Sequence, residues 1–223
     1  MTERIPMTAT DVVEKPLAAA MKDGSRIEHE AAENSAFVSE LLAGRVNEAG
    51  YADYLRRLRT VYAALEQAVA EARDDRLIAP FYDPAIERLA ALDADLAHWV
   101  PGTSHQVDSP AADAYAARLR AADWGGALLA HHYTRYLGDL SGGQAIGKIL
   151  GRTFGLDGAG LAFYEFPDVP KPKPYKDGYR ARLDGLALSD AEVARVVDEV
   201  KVAFDLNRAL FAELAENLPG YAR

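Results

Sequence analysis

The sequence predicts an all-α, single-domain fold. Apolar residues recur at three- and four-residue steps along most of the 223 positions, as amphipathic helices require. No stretch of any length alternates apolar and polar residues as a half-buried strand would. Capping residues, prolines and glycines fall where the helical patterns begin and end. A chain of this length can bury one substantial core. With 49% hydrophobic and 26% charged residues it reads as a soluble globular protein.

Residues 1–11 read as a tail, and 12–223 as the helical domain. The spacing of Val13, Leu17, Ala20, Met21 and Ile27 predicts one helix to Glu33, weakened midway by Gly24. Asn34 or Ser35 can cap a short second helix that Gly44 closes. A long helix follows over 47–73, with Tyr51, Tyr54, Leu55, Leu58, Tyr62, Leu65 and Val69 on its apolar side. Pro84 suits the first position of a helix ending near Trp99, and Ser109-Pro110 starts another. A glycine-bearing helix is expected over 124–154, then a Gly- and Pro-rich connection over 155–174. Lys171, Lys173, Lys176, Arg180 and Arg182 form a basic run beyond it. Ser189-Asp190-Ala191-Glu192 is a capping-box sequence opening a helix to about Leu218.

Composition excludes several chemistries. Without cysteine there is no disulfide, thiolate-held metal, iron–sulfur cluster or cysteine nucleophile. A net charge of −9 argues against general nucleic-acid binding. No apolar run reaches membrane-span length and the first residues lack a signal-peptide core, so no membrane partner and a cytoplasmic location are expected.

The stretch over 133–151 stands apart. It threads Gly138, Gly142, Gly143, Gly147 and Gly151 through ordinary helix formers. Each glycine costs about 0.8–1 kcal/mol against alanine, roughly 4–5 kcal/mol together, more than a plain core helix would carry. Gly138 and Gly142 share one helical face, and Gly143, Gly147 and Gly151 the neighbouring one. A helix so bared can bend and can let a flat group touch its backbone. Asp139 lies beside that bare side, with Tyr133, Thr134, Arg135 and Tyr136 a turn earlier.

Of the five histidines, His29 differs in having Glu33 one turn later. A carboxylate there can orient an imidazole that ligates a metal, or the two form an ordinary polar pair on a wet helix face. No second histidine or carboxylate stands at metal-cage spacing. One histidine facing a glycine-flattened helix suits a cofactor that brings its own equatorial ligands, a description that fits haem.

The residues carrying this chemistry resemble the haem oxygenase family, the biliverdin-producing kind. The block YTRYLGDLSGGQ, Tyr133 to Gln144, is similar to that family's signature nearly residue for residue. Lys22 with His29-x-x-x-Glu33, the run Lys176-Asp-Gly-Tyr-Arg180, and Ala203-Phe204-Asp-Leu-Asn207 also resemble family segments. The likeness spans about 12–218, and the absence of an apolar anchor before Arg223 matches the soluble bacterial type.

The resemblance implies a haem-sandwiching helical bundle with a kinked distal helix. It implies cleavage of haem to biliverdin, ferrous iron and carbon monoxide, using O₂ and electrons from a donor such as a ferredoxin or flavin reductase. Position by position it makes His29 the axial iron ligand and Glu33 its orienting partner. Gly138 and Gly142 become the distal backbone beside O₂. Asp139 organises distal water with Tyr62, Arg135 and Asn207 around it. Lys22, Tyr133, Lys176 and Arg180 hold the propionates, and Phe204 belongs to the haem surroundings. Two other readings compete: a haem carrier without catalysis, and a structural protein whose glycines only bring helices close.

Overall fold

The computed structural model describes residues 15–156 and 158–223; the expected tail lies outside them. Two short helices stand where the apolar spacing predicts one, α1 (Leu17–Gly24) and α2 (Arg26–Glu33). The break falls at Ser25, whose hydroxyl donates to the Met21 carbonyl at 2.8 Å. Gly24 lies so close to the last helix that a Cβ would stand 2.5 Å from Val197 Cγ1. A side chain there would push the joint off its support.

Helix α3 (Ala36–Leu42) follows, closed by Gly44 at φ +70°. The expected side-chain cap is not formed, and Asn34 instead donates back to the Glu30 carbonyl. The long helix α4 (Glu48–Glu71) is capped by Asn47, whose side chain accepts from the Gly50 N–H at 2.9 Å. Its buried face carries Tyr51, Leu55, Leu58, Tyr62, Leu65 and Val69. Each of the leucines and Val69 stabilises the fold by roughly 1.5–3 kcal/mol when removed from water.

Pro84 starts only a 3₁₀ turn, Pro84–Ile86, and α5 (Leu89–Trp99) begins later than expected. The carboxylate of Glu66, on α4, accepts from the N–H groups of Arg88 and Leu89 at 2.6 and 3.0 Å. A cap from another helix therefore sets this start, which local sequence cannot reveal. Helix α6 (Pro110–Arg120) is capped by Ser109 as expected.

The glycine-bearing segment is α7 (Gly125–Gly138), one π-helical turn (Asp139–Gly143) and α8 (Gln144–Phe154). Helix α9 (Pro172–Asp184) forms where the sequence shows only a basic run, and α10 (Asp190–Ala215) opens on the expected capping box. Helix α10 lies along α7 and α2, while α4 packs on α5 and α6. The described residues contain no β-strand, only an isolated bridge between Val46 and Ala222.

Helix α9 is tied down at several points. Tyr175 donates to Asp83 at 2.7 Å, and Asp184 accepts the Ala18 N–H at the start of α1. Tyr179, fully buried, meets Nδ1 of His132 at 2.7 Å with the two rings stacked. Burial pushes the His132 imidazole down to about 3, with Asp83 pulling upward and Arg182 downward. An unfolded histidine titrates near 6.5, so between there and about 3 the unfolded chain holds a proton the folded one lacks. Stability contributed by this site is therefore full above that window and falls as pH falls through it. His132→Asn keeps an acceptor and removes the titration. It should flatten the acid-side decline in a pH series of melting curves; an unchanged slope would assign the decline to other groups.

Candidate active site

A cleft opens between α2 and the α7–π-turn–α8 segment, with α10 behind it. It has two lobes of about 300 and 320 Å³ that share His29, Thr134, Gly138, Ser141 and Phe204. Lys22, Arg26, Tyr133 and Arg180 line the outer lobe. Glu33, Tyr54, Arg135, Asp139, Gly142, Asn207 and Phe211 line the inner one.

The π turn explains how one segment can be both wall and floor. It widens the helix by one residue at Asp139–Gly143, a distortion common at functional sites. The five glycines divide there. A Cβ at Gly138 or Gly142 would meet nothing within 4 Å, so both present bare, exposed backbone to the cleft. A Cβ at Gly147 would stand 2.8 Å from the Tyr164 side chain, and one at Gly151 3.3 Å from Leu161. Those two admit neighbours, and Gly143 also faces Tyr164. A wider groove of 740 Å³ beyond α8 carries these packed glycines and no histidine in its lining.

The two sets should respond oppositely to a methyl group. Gly147→Ala is expected to lower stability by roughly 1–3 kcal/mol through overpacking. Gly138→Ala should raise it by up to about 1 kcal/mol through helix propensity, while filling the cleft. Thermal unfolding of both variants checks the signs.

Three long helices bring polar groups to the inner lobe. Tyr62 of α4 donates its hydroxyl proton to the Asp139 carboxylate. Nε of Arg135 donates to the Tyr62 hydroxyl at 3.1 Å, and its Nη1 donates to Oδ1 of Asn207, on α10, at 2.5 Å. Burial raises the Asp139 carboxyl above the usual aspartate range, although Arg135, Tyr62 and Arg88 draw it back. Burial opposes the charge on Arg135, yet Tyr62 and Asp139 outweigh it and keep the guanidinium protonated. The result is a carboxyl with raised proton affinity, fixed in direction at the cleft wall.

Across the cleft, His29 sits on α2 with half of its side chain exposed. Its ring meets Phe204 edge-on, centroids 5.2 Å apart at 86°, which limits the imidazole's tilt. Nε2 lies 3.5 Å from Glu33 Oε1, and Glu33 is 66% exposed. That is longer than an ordinary N–H···O hydrogen bond, so the two side chains lie near each other without a formed bond. Lys22, Tyr133 and Arg180 converge at the mouth as expected, whereas Lys176 lines neither lobe. Its ammonium donates to Ser141 Oγ at 3.0 Å, against the π turn.

Sequence reasoning missed Tyr54, whose hydroxyl burial pushes up to about 12. The signal was there, since Tyr54 precedes Tyr62 by two turns on the same face of α4. Arg26 lies one turn before His29 in the same way. Arg88, which acts on Asp139 from the start of α5, left no sequence signal.

The sequence profile described as Heme oxygenase matches residues 15–213. The chain belongs to the heme oxygenase family. It is 38% identical over 206 residues to heme oxygenase 1 of the cyanobacterium Synechocystis, covering 91% of this chain and 86% of that protein. Human heme oxygenase 1 is 37% identical over 215 residues, covering 93% and 75%.

Solved structures of the family agree. The crystal structure of Synechocystis heme oxygenase-1 in complex with heme superposes with a TM-score of 0.88 at 37% identity, covering 92% of this chain and 95% of that one. Heme oxygenase from Leptospira interrogans gives 0.86 at 35% identity, covering 89% and 100%. The all-α heme oxygenase fold expected from the sequence is borne out. No described helix is long and apolar enough to cross a membrane.

Proposed function

We propose that the chain binds haem in this cleft and opens it to biliverdin, ferrous iron and carbon monoxide. The observation that carries the reading is the bare backbone of Gly138 and Gly142 beside Asp139, facing the half-exposed imidazole of His29. The cleft fits a flat, amphipathic dianion. Its walls are Phe204, Phe211 and glycine backbone, and Lys22, Tyr133 and Arg180 stand at its open end.

Bound haem supplies an iron that takes O₂ and a ring carbon that is oxygenated. His29 would hold the haem iron from the α2 side of the cleft. Gly138 and Gly142 put bare backbone on the opposite side, where any larger residue would put a side chain. Asp139 takes and returns a proton through water rather than by direct contact. Tyr62, Arg135 and Asn207 hold the carboxylate in place. Lys22, Tyr133 and Arg180 receive the substrate's carboxylates, with charge-assisted bonds from the cations. Electrons come from an external donor of the ferredoxin or flavin-reductase kind, and the cytoplasm, where such donors work, is the proposed location.

Titration with hemin should give a Soret band at one equivalent. Reductant in air should then bleach it as a bilin absorption grows. A Soret band that persists under reductant and O₂ would make the protein a haem carrier instead.

A further inference from the structure

We infer that His132 and Tyr179 form a positioning pair that fixes the roll of α9 and thereby selects which edge of the substrate ring faces Asp139. The inference rests on the haem reading and names two residues that touch no substrate.

The geometry of α9 carries it. Tyr175 and Tyr179, four apart, form its inner face, while Lys176 and Arg180, also four apart, stand one position further around the helix. Any rotation of α9 about its axis therefore swings both cations together. Lys176 meets Ser141 on the π turn and Arg180 lines the outer lobe, so a swing would move two points of contact relative to Gly138 and Asp139. A flat substrate held by two carboxylates has little else to set its in-plane angle.

What resists that swing is the pair. The hydroxyl of Tyr179 meets His132 Nδ1 at 2.7 Å, both groups are buried, and their rings stack at 13°. Phe81 packs on Tyr179 at 4.8 Å and Tyr136 on His132 at 4.5 Å, so the pair sits in a closed aromatic nest. His132 directly precedes Tyr133, which lines the outer lobe, and lies on α7, which ends at Gly138 where the π turn begins with Asp139. The bond thus ties the helix that carries the basic residues to the helix that leads directly into Asp139. As a buried neutral ring, His132 can accept the Tyr179 proton at Nδ1 when its own proton is on Nε2. Tyr175, which donates to Asp83 at 2.7 Å, is a second anchor on the part-buried side.

The test reads the haem methyl resonances of the ferric hemin complex, which count in-plane orientations without turnover, beside the biliverdin isomers formed on turnover. One orientation should dominate in the native protein. Tyr179→Phe should raise the minor-to-major ratio on the order of tenfold, the scale set by one lost buried hydrogen bond. His132→Phe should do the same. His132→Asn, whose amide oxygen can take the tyrosine proton, should restore the native ratio, which a purely structural loss would not. In a Lys176→Ala/Arg180→Ala background, Tyr179→Phe should add nothing further. A ratio that shifts with the Lys176→Ala/Arg180→Ala pair but not with Tyr179→Phe would overturn this inference alone. Failure of the native protein to take up hemin would overturn the haem reading and this inference with it.

Discussion

Asp139→Ala is expected to leave hemin affinity nearly unchanged and to cut biliverdin formation about a hundredfold or more. The carboxylate lies at the cleft wall, where it accepts from the Tyr62 hydroxyl and, through it, meets Arg135. Removing it subtracts a proton carrier, and positioned acid–base groups are worth about 10²–10⁴-fold. Asp139→Asn separates the two contributions, since an amide keeps the hydrogen bond from Tyr62 but cannot carry the proton. It should resemble Asp139→Ala in turnover. Stopped-flow absorbance of the hemin complex under reductant and O₂ provides the check, and native rates of bilin formation in either variant would remove Asp139 from the reaction.

His29→Ala is expected to change the ferric hemin spectrum outright and to lower turnover by at least about 100-fold, since losing only an outer partner of a metal ligand costs 10–100-fold. The half-exposed imidazole is not part of the core, so the variant should melt close to the native temperature. Glu33→Gln should do much less. At 3.5 Å and 66% exposed, Glu33 lies near the imidazole without a formed bond. A ferric spectrum unaltered by His29→Ala would move the axial ligand elsewhere.

Much of this site was legible because its chemistry is written in residue types that contradict local preference. Five glycines in one helix have no reason in helix propensity, and the period of four separated them into the two sets the structure shows. What the period could not show is that Gly138 and Gly142 face open space in the cleft. The other three admit Tyr164 and Leu161, side chains from a loop whose path depends on Asp95 accepting the Ala162 and Phe163 N–H groups. The start of α5 was hidden for the same reason, because its cap comes from Glu66 on another helix. Helix α9 was obscured by its charges. Five cations in a short run read as a wet face, while the Tyr175, Tyr179, Leu183 stripe beneath them holds the helix down. Lys176 matched the expected pattern by position, yet its tie to Ser141 could be seen only once the π turn was in place.

The central claim is spatial: a porphyrin lies between the imidazole of His29 and the backbone of residues 138–142. A crystal structure of the ferric hemin complex measures it most directly. Iron should be bonded to a His29 ring nitrogen, with the bare backbone of Gly138 and Gly142 against the opposite ring face and Asp139 reaching the iron side through water. Iron held by any other residue, or hemin seated outside this cleft, would contradict it.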